Sequence, residues 1–131
     1  IIPVQAEYYS LEGLGQLLET ISLFRANFEH PLDIAGAIIT MFDHRERLSR
    51  DVEKNVREHF PHHVFDVTVP RSVALAEAPS YGQPILLYKP DSPGAIAYKR
   101  LAEEVIRQER PFTPGEPVFL PTDFGNFNIQ I

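Results

Sequence analysis

Apolar residues follow two kinds of pattern along this chain, short unbroken runs and stripes recurring every three or four positions, and the two kinds alternate. Ile1 to Val4 is a run, and Pro3 within it suits a strand end or an edge with a free N–H side better than a central ladder position. Leu11, Leu14, Leu18 and Ile21, with Leu17 and Phe24 beside them, form a stripe of helical period. The helix they predict is capped by Ser10 and stops near Asn27, before Pro31. Ile34 to Met41 is almost continuously apolar, as expected of a parallel strand covered on both faces. Val52, Val56 and Phe60 then recur every four positions, predicting a second helix from a Ser49 cap to Phe60, ended by Pro61. Val64 to Val69 alternates apolar and polar through Asp66 and Thr68 and predicts a third strand closing at Pro70.

Residues 71–84 read as a loop with one possible helical turn, and Gln83 to Tyr88 as a short fourth extended segment. Ser92 followed by Pro93 marks the start of a last helix, with Tyr98, Leu101, Ala102, Val105 and Ile106 as its stripe. From Pro111 the periodicity disappears. Four prolines and four phenylalanines (Phe112, Phe119, Phe124 and Phe127) in residues 111–131 describe an extended arm or a partly disordered segment. The chain thus divides into an α/β unit over 1–107 and a tail over 108–131. Strand, helix, strand, helix, strand and closing helix follow the βαβ logic of a parallel sheet with right-handed crossovers. A bare apolar first strand leaves one sheet edge unprotected. With Ile1 in place of a methionine, this leads us to expect further strands upstream.

Composition narrows the classes. A chain of 131 residues with 44% hydrophobic content suits one domain with an ordinary core. It has no cysteine, which removes disulfide scaffolds and thiolate zinc sites. No apolar run approaches the roughly 20 residues that span a bilayer, and no secretory signal opens the chain, so a cytoplasmic protein without a membrane partner is expected. The net charge of -6 argues against wrapping nucleic acid with the whole surface, though a local basic patch is compatible with it.

Three stretches occur in an order that carries a family resemblance. They are Ile2-Pro3-Val4-Gln5-Ala6-Glu7-Tyr8-Tyr9-Ser10-Leu11-Glu12-Gly13-Leu14, then Thr40-Met41-Phe42-Asp43, then Val69-Pro70-Arg71 followed by Glu77-Ala78-Pro79-Ser80-Tyr81-Gly82-Gln83-Pro84-Ile85. Together they resemble the second half of the ParA/Soj chromosome and plasmid partitioning ATPases, the deviant Walker A family that includes MinD, over residues 1 to about 107. The resemblance implies the C-terminal half of a doubly wound parallel sheet of the P-loop NTPase type, flanked by helices. It also implies an intact protein that uses ATP and Mg2+, forms a homodimer, binds DNA without sequence preference, associates with the nucleoid and answers to a ParB-like partner.

Phosphoryl transfer needs a glycine-rich loop, a lysine, a hydroxyl on magnesium and a Walker B acid. The motif G-x-x-x-x-G-K-[ST] does not occur in these residues; Gly13 and Gly15 lie inside the first helix with no lysine after them. Alone, the chain is expected not to hydrolyse ATP. What the resemblance leaves to it is the base side of the site, through Thr40, Met41, Asp43, Pro70 and Arg71. A purine wants an apolar slot with a few polar groups at its edge, at the carboxyl ends of parallel strands. The plainer reading makes Met41 core and Asp43 a turn residue. Glu7, just past the first strand, would face the partner subunit's nucleotide in such a family; otherwise it is a carboxylate at a helix N-terminus, where the dipole favours it.

Arg45, Arg47 and Arg50 form the densest basic cluster and match a DNA-facing region of the family. The loop after Pro-Arg departs from it: Ser72-Val73-Ala74-Leu75 stands where the family shows Asn-Val-Arg-Leu, and Ala74 offers phosphate no charge. DNA contact is therefore expected to be weakened or shifted toward Arg47, Arg50 and Lys54, and a solvated helix face is the alternative. His59, His62 and His63 flank Pro61, where they complement a helix C-terminus better than they surround one metal ion. A stand-alone, non-catalytic α/β module that pairs with a ParA-like partner or DNA is the competing function. A receiver-like or flavodoxin-like domain is disfavoured by the missing acidic cluster at the first strand end.

Overall fold

The computed structural model describes residues 1–28 and 32–108. Within them run β1 (Ile2–Gln5), α1 (Tyr8–Asn27), β2 (Ala37–Thr40), α2 (Arg47–His59), α3 (Val73–Glu77), a 3-10 turn (Ala78–Tyr81), α4 (Ile85–Tyr88) and α5 (Pro93–Arg107). β1 and β2 are parallel, with Ile2 opposite Ala37 and Gln5 opposite Thr40. The 20-residue α1 makes the crossover between them, as a parallel pair requires. Most of the expected tail, with its four phenylalanines, lies outside the described residues.

Side chains of β2 alternate between two cores. Ala37 and Ile39 join Ile2, Val4, Leu11, Leu14, Leu18, Val52, Val56 and Phe60, so α1 and α2 share one face of the sheet. Ile38 turns the other way, onto Phe65, Val69 and Ala97, with Leu101 and Val105 of α5 packed against them. Burial of both faces explains why this strand reads as an unbroken apolar run. Among the described residues β1 is covered on one face: Ile2 and Val4 are buried while Pro3 and Gln5 are exposed. Ile2 N–H donates to Gly36 O, and Ala6 N–H to Thr40 O, both at 2.9 Å. Alternation along a parallel ladder therefore turns the backbone groups of Pro3 and Gln5 toward the opposite edge. Among the described residues β1 pairs with β2 alone.

Four sequence expectations are corrected. α1 begins at Tyr8, with Glu7 at the N-cap and no side-chain cap. Ser10 is already helical, and its hydroxyl donates back to Glu7 O at 2.6 Å and to Gln5 O. α2 begins at Arg47, two residues before Ser49. Ser49 is buried instead, donating to Ala6 O at 3.3 Å and Glu46 Oε2 at 3.2 Å, which ties α2 to the end of β1.

The third correction concerns the 64–69 strand, which forms no continuous ladder. Single parallel bridges join Ala37 to Val64 and Phe42 to Pro70. Between them only Phe65 N–H (to Ala37 O) and Val69 N–H (to Ile39 O) reach β2, each at 2.9 Å. The amides of Asp66 and Val67 point instead at Glu104 of α5, at 2.6 and 3.0 Å. The segment therefore bulges, as an edge does where side chains replace ladder partners. The fourth is Ile85–Tyr88, a single helical turn after Pro84, where an extended segment was expected.

α5 starts as the sequence predicts. Ser92 caps it by accepting from Ala95 N–H at 3.2 Å, and Pro93 fills the first turn. Gly94 is required by packing: a Cβ there would stand 2.7 Å from Leu75 Cγ, so α5 and α3 meet at a glycine.

Candidate functional site

The carboxyl ends of β1, β2 and the 64–70 segment converge. β1 leads through Ala6, almost fully buried, to Glu7. β2 ends at Thr40, whose hydroxyl donates to Val4 O at 3.4 Å. The next residue, Met41, has a φ of 53°, the left-handed region, and is the non-glycine residue with positive φ among those described. This conformation costs a residue with a Cβ about 1–3 kcal/mol and persists where neighbours over-determine it. The neighbours are identifiable. Phe42 N–H donates to Val69 O at 3.1 Å and Phe42 O accepts from Arg71 N–H at 3.1 Å, so the chain is pinned against Pro70 one residue after the turn.

Of the five residues expected on the base side, the structure brings four to one place: Thr40 at the end of β2 and Met41 just after it, and Pro70 and Arg71 from the segment hydrogen-bonded beside them. Met41 is exposed, at 38%, so it lies outside the packed core. Asp43 is committed elsewhere. Its carboxylate accepts from Arg45 N–H at 2.9 Å, Arg45 Nε at 3.0 Å and Arg45 Nη2 at 2.8 Å. The Arg45 side chain, and after it the Arg45 amide, hold the Asp43 carboxyl well below the usual carboxylate range, and Asp43 raises the Arg45 guanidinium in return.

Glu7 meets Arg71 across the end of β2, Arg71 Nη2 to Glu7 Oε1 at 2.8 Å, with both side chains half exposed. An exposed pair is worth about 0–1 kcal/mol, so this contact can open without threatening the fold. Two residues 64 positions apart in the chain are thereby neighbours.

The three arginines expected on DNA each have an internal contact. Arg45 is paired to Asp43, Arg47 Nε lies 3.5 Å from Asp51 Oδ2, and Arg50 Nη1 donates to His44 O at 2.6 Å. Arg45 and Arg47 remain largely exposed, at 79% and 88% of their side chains, but each carries an acid beside it. Ser72 stands at the N-cap of α3 without a side-chain cap, and Ala74 is partly buried against Ala78 and Ile85.

Glu104 and Arg57 had not been singled out from sequence. Glu104 is a buried carboxylate, 6% exposed, bonded to two backbone amides of the bulge. Arg57 Nη1 and Nη2 donate to the carbonyls of Phe65 and Asp66 at 3.2 and 3.3 Å. A signal for Glu104 was present: it stands within the α5 stripe between Leu101 and Val105, where a charged residue is out of place.

No helix among the described residues is long and apolar enough to cross a membrane. Residues 4–85 match the family model described as the CobQ/CobB/MinD/ParA nucleotide binding domain. The chain is 47% identical over 109 residues to the chromosome partitioning protein ParA of Caulobacter vibrioides, covering 83% of this chain and 41% of that protein. It is 50% identical over 106 residues to the chromosome-partitioning ATPase Soj of Thermus thermophilus, covering 81% and 43%. With the sporulation initiation inhibitor protein Soj of Bacillus subtilis it shares 48% identity over 105 residues, covering 80% and 42%. The chain thus spans about two fifths of the length of these relatives.

Proposed function

The chain belongs to the CobQ/CobB/MinD/ParA nucleotide-binding domain family and is of the ParA/Soj type, and from that premise we propose that it supplies the adenine-side surface of a partitioning ATPase. Its doubly wound sheet would be completed by the portion of such a protein that these residues do not cover. ATP and Mg2+ would be held mainly by that portion, which would carry the phosphate-binding loop, and this chain alone would not turn ATP over. The intact protein would dimerise around nucleotide, bind DNA nonspecifically on the nucleoid and respond to a ParB-like partner.

One observation carries this reading. A left-handed, exposed Met41 is held beside Pro70 and Arg71 at the carboxyl end of a parallel strand, the place where open α/β sheets receive ligands. Met41 and Pro70 offer apolar surface, and Arg71 and the backbone of the Met41–Phe42 turn offer polar edges. Within this assignment Glu7 would face the partner subunit, and its bond to Arg71 would be released when nucleotide arrives. Arg45, Arg47 and Arg50 would meet DNA phosphates only in competition with Asp43, Asp51 and the His44 carbonyl, which makes a weak, salt-sensitive contact the expectation.

The test is a titration of the isotopically labelled chain with ADP and with GDP, followed by amide signals. ADP should move Met41, Phe42 and Arg71 and leave α5 unmoved, with GDP weaker by about an order of magnitude. Equal responses to the two bases, or responses that avoid this turn, would remove the adenine assignment.

A further inference from the structure

The bulge at Phe65–Val67 is held from both faces of the sheet by opposite charges. On one face, Glu104 of α5 takes the amides: Asp66 N–H at 2.6 Å to Oε1 and Val67 N–H at 3.0 Å to Oε2. On the other, Arg57 of α2 gives two guanidinium donors to the carbonyls of Phe65 and Asp66. Arg57 is itself oriented by Glu53, one turn earlier on α2, through Nε at 3.0 Å. Around Glu104, Gln108 Nε2 lies 3.4 Å from Oε1 and His63 Nε2 3.8 Å.

Two features separate this arrangement from an ordinary surface network. First, Glu104 is a charged group almost withdrawn from water, a placement retained only when its lone pairs are satisfied. Second, two of the backbone groups engaged, Phe65 O and Val67 N–H, lie on the side of the chain that a regular parallel ladder would turn toward Ile39 of β2. A ladder bond gained at Val67 would remove the bulge and advance the rest of the segment by one position. Val69, Pro70 and Arg71 follow directly. In the bulged register Val69 O accepts from Phe42, and Arg71 reaches both Phe42 O and Glu7.

We propose that Glu104 and Arg57 are positioning residues which fix the bulged register of segment 64–70 and so place Pro70 and Arg71 beside the Met41–Phe42 turn. Neither residue touches that turn. Their effect travels through four residues of extended chain, and its functional meaning rests on the adenine-side reading given above.

The experiment uses the full chain, with Glu104→Gln and Arg57→Lys as the variants that keep size and most packing, and Glu104→Ala as the stronger one. An amide oxygen accepts one of the two N–H groups and sets an NH2 donor against the other. In Glu104→Gln, hydrogen exchange at Asp66 and Val67 should therefore accelerate at least about tenfold. The distant readout is the Arg71 Nε–H signal in the ligand-free protein, which should move toward that of a solvated arginine, while the amides of Ile2, Val4 and Ile39 keep their positions. Arg57→Lys should shift the same Arg71 signal with a smaller change in exchange. The proposal is overturned if Asp66 and Val67 respond while Arg71 and Phe42 stay fixed, or if none of them responds. ADP titration separates this result from the parent reading. A wild-type chain whose Arg71 signal ignores ADP sinks the adenine assignment and leaves the register result standing. ADP affinity equal in wild type and Glu104→Gln, despite a moved Arg71, sinks the functional part of the present proposal.

Discussion

Adding one methyl group should have opposite effects at two glycines of this chain. Gly36 has a φ of 156°, and a Cβ placed on it would lie 2.9 Å from His63 O and 2.9 Å from Phe65 Cε2. His63 O cannot yield, because it accepts the Ala37 amide at 2.8 Å. The strained backbone costs about 1–3 kcal/mol for a residue with a Cβ. Overpacking adds about 1–3 kcal/mol, and the lower entropy of the unfolded chain returns about 0.4–1 kcal/mol. Gly36→Ala should therefore destabilise by about 2–4 kcal/mol. Gly13 sits in the middle of α1 with nothing within 4 Å of an added methyl, so Gly13→Ala should stabilise by about 0.5–1 kcal/mol through helix propensity. Urea unfolding followed by circular dichroism checks both. With a slope of about 1–3 kcal/mol per molar, the midpoint for Gly36→Ala should fall by about 1–2 M, and that for Gly13→Ala should rise by a few tenths. Shifts of the same sign, or a cost at Gly36 below about 0.5 kcal/mol, the range of ordinary surface changes, would refute the close approach of residue 36 to the 63–65 segment.

Asp43 has its folded pKa lowered by Arg45, so the pair contributes stability above the unfolded carboxyl value of about 3.9 and loses it as pH falls through the lower folded value. Asp43→Asn should flatten the acid limb of a stability profile, and an unchanged limb would contradict the pairing. Tyr88 is pushed up to about 12 by burial and by donating to Glu77 Oε2 at 3.1 Å. Its contribution is complete below about pH 10, the ordinary tyrosine value, and is lost as pH rises through about 12. Ultraviolet titration should lose its latest phenolate component in Tyr88→Phe, and Glu77→Gln should bring that component earlier; a late component that survives both changes assigns it elsewhere. Affinity for duplex DNA of arbitrary sequence should be weak and fall with salt, and Arg45→Ala with Arg47→Ala should reduce the log–log salt slope by about 1–2. Asp43→Asn, by freeing Arg45, should raise low-salt affinity. A slope indifferent to all three substitutions would clear these arginines of the role.

What could be read from the residues was whatever repeats. The stripes of α1, α2 and α5 and the two-faced run of β2 each declare themselves several times over, so single exceptions do not erase them. Caps depend on one side chain. Ser10 and Ser49 are good cap residues by type, yet the carbonyls of Gln5, Glu7 and Ala6 claim their hydroxyls inside the helices. Ile85–Tyr88 is too short to show a period, so its apolar run read equally as a strand. The alternation of 64–69 was real, but the partner that breaks its ladder, Glu104, lies 38 residues on. Of the candidate site, the loops were legible by resemblance, whereas the Glu7–Arg71 contact and the left-handed Met41 belong to tertiary structure.

Among the described residues the outer edge of β1 is unpaired, and its backbone groups limit what kind of strand can join it. Pro3 faces that edge and has no N–H to give, and Gln5 O is already taken by Glu7 N–H at 2.8 Å and by the Ser10 hydroxyl. A stray strand approaching in search of backbone partners would meet one missing donor and one occupied acceptor within four residues. A strand that seats there must therefore tolerate both gaps in its own bonding pattern.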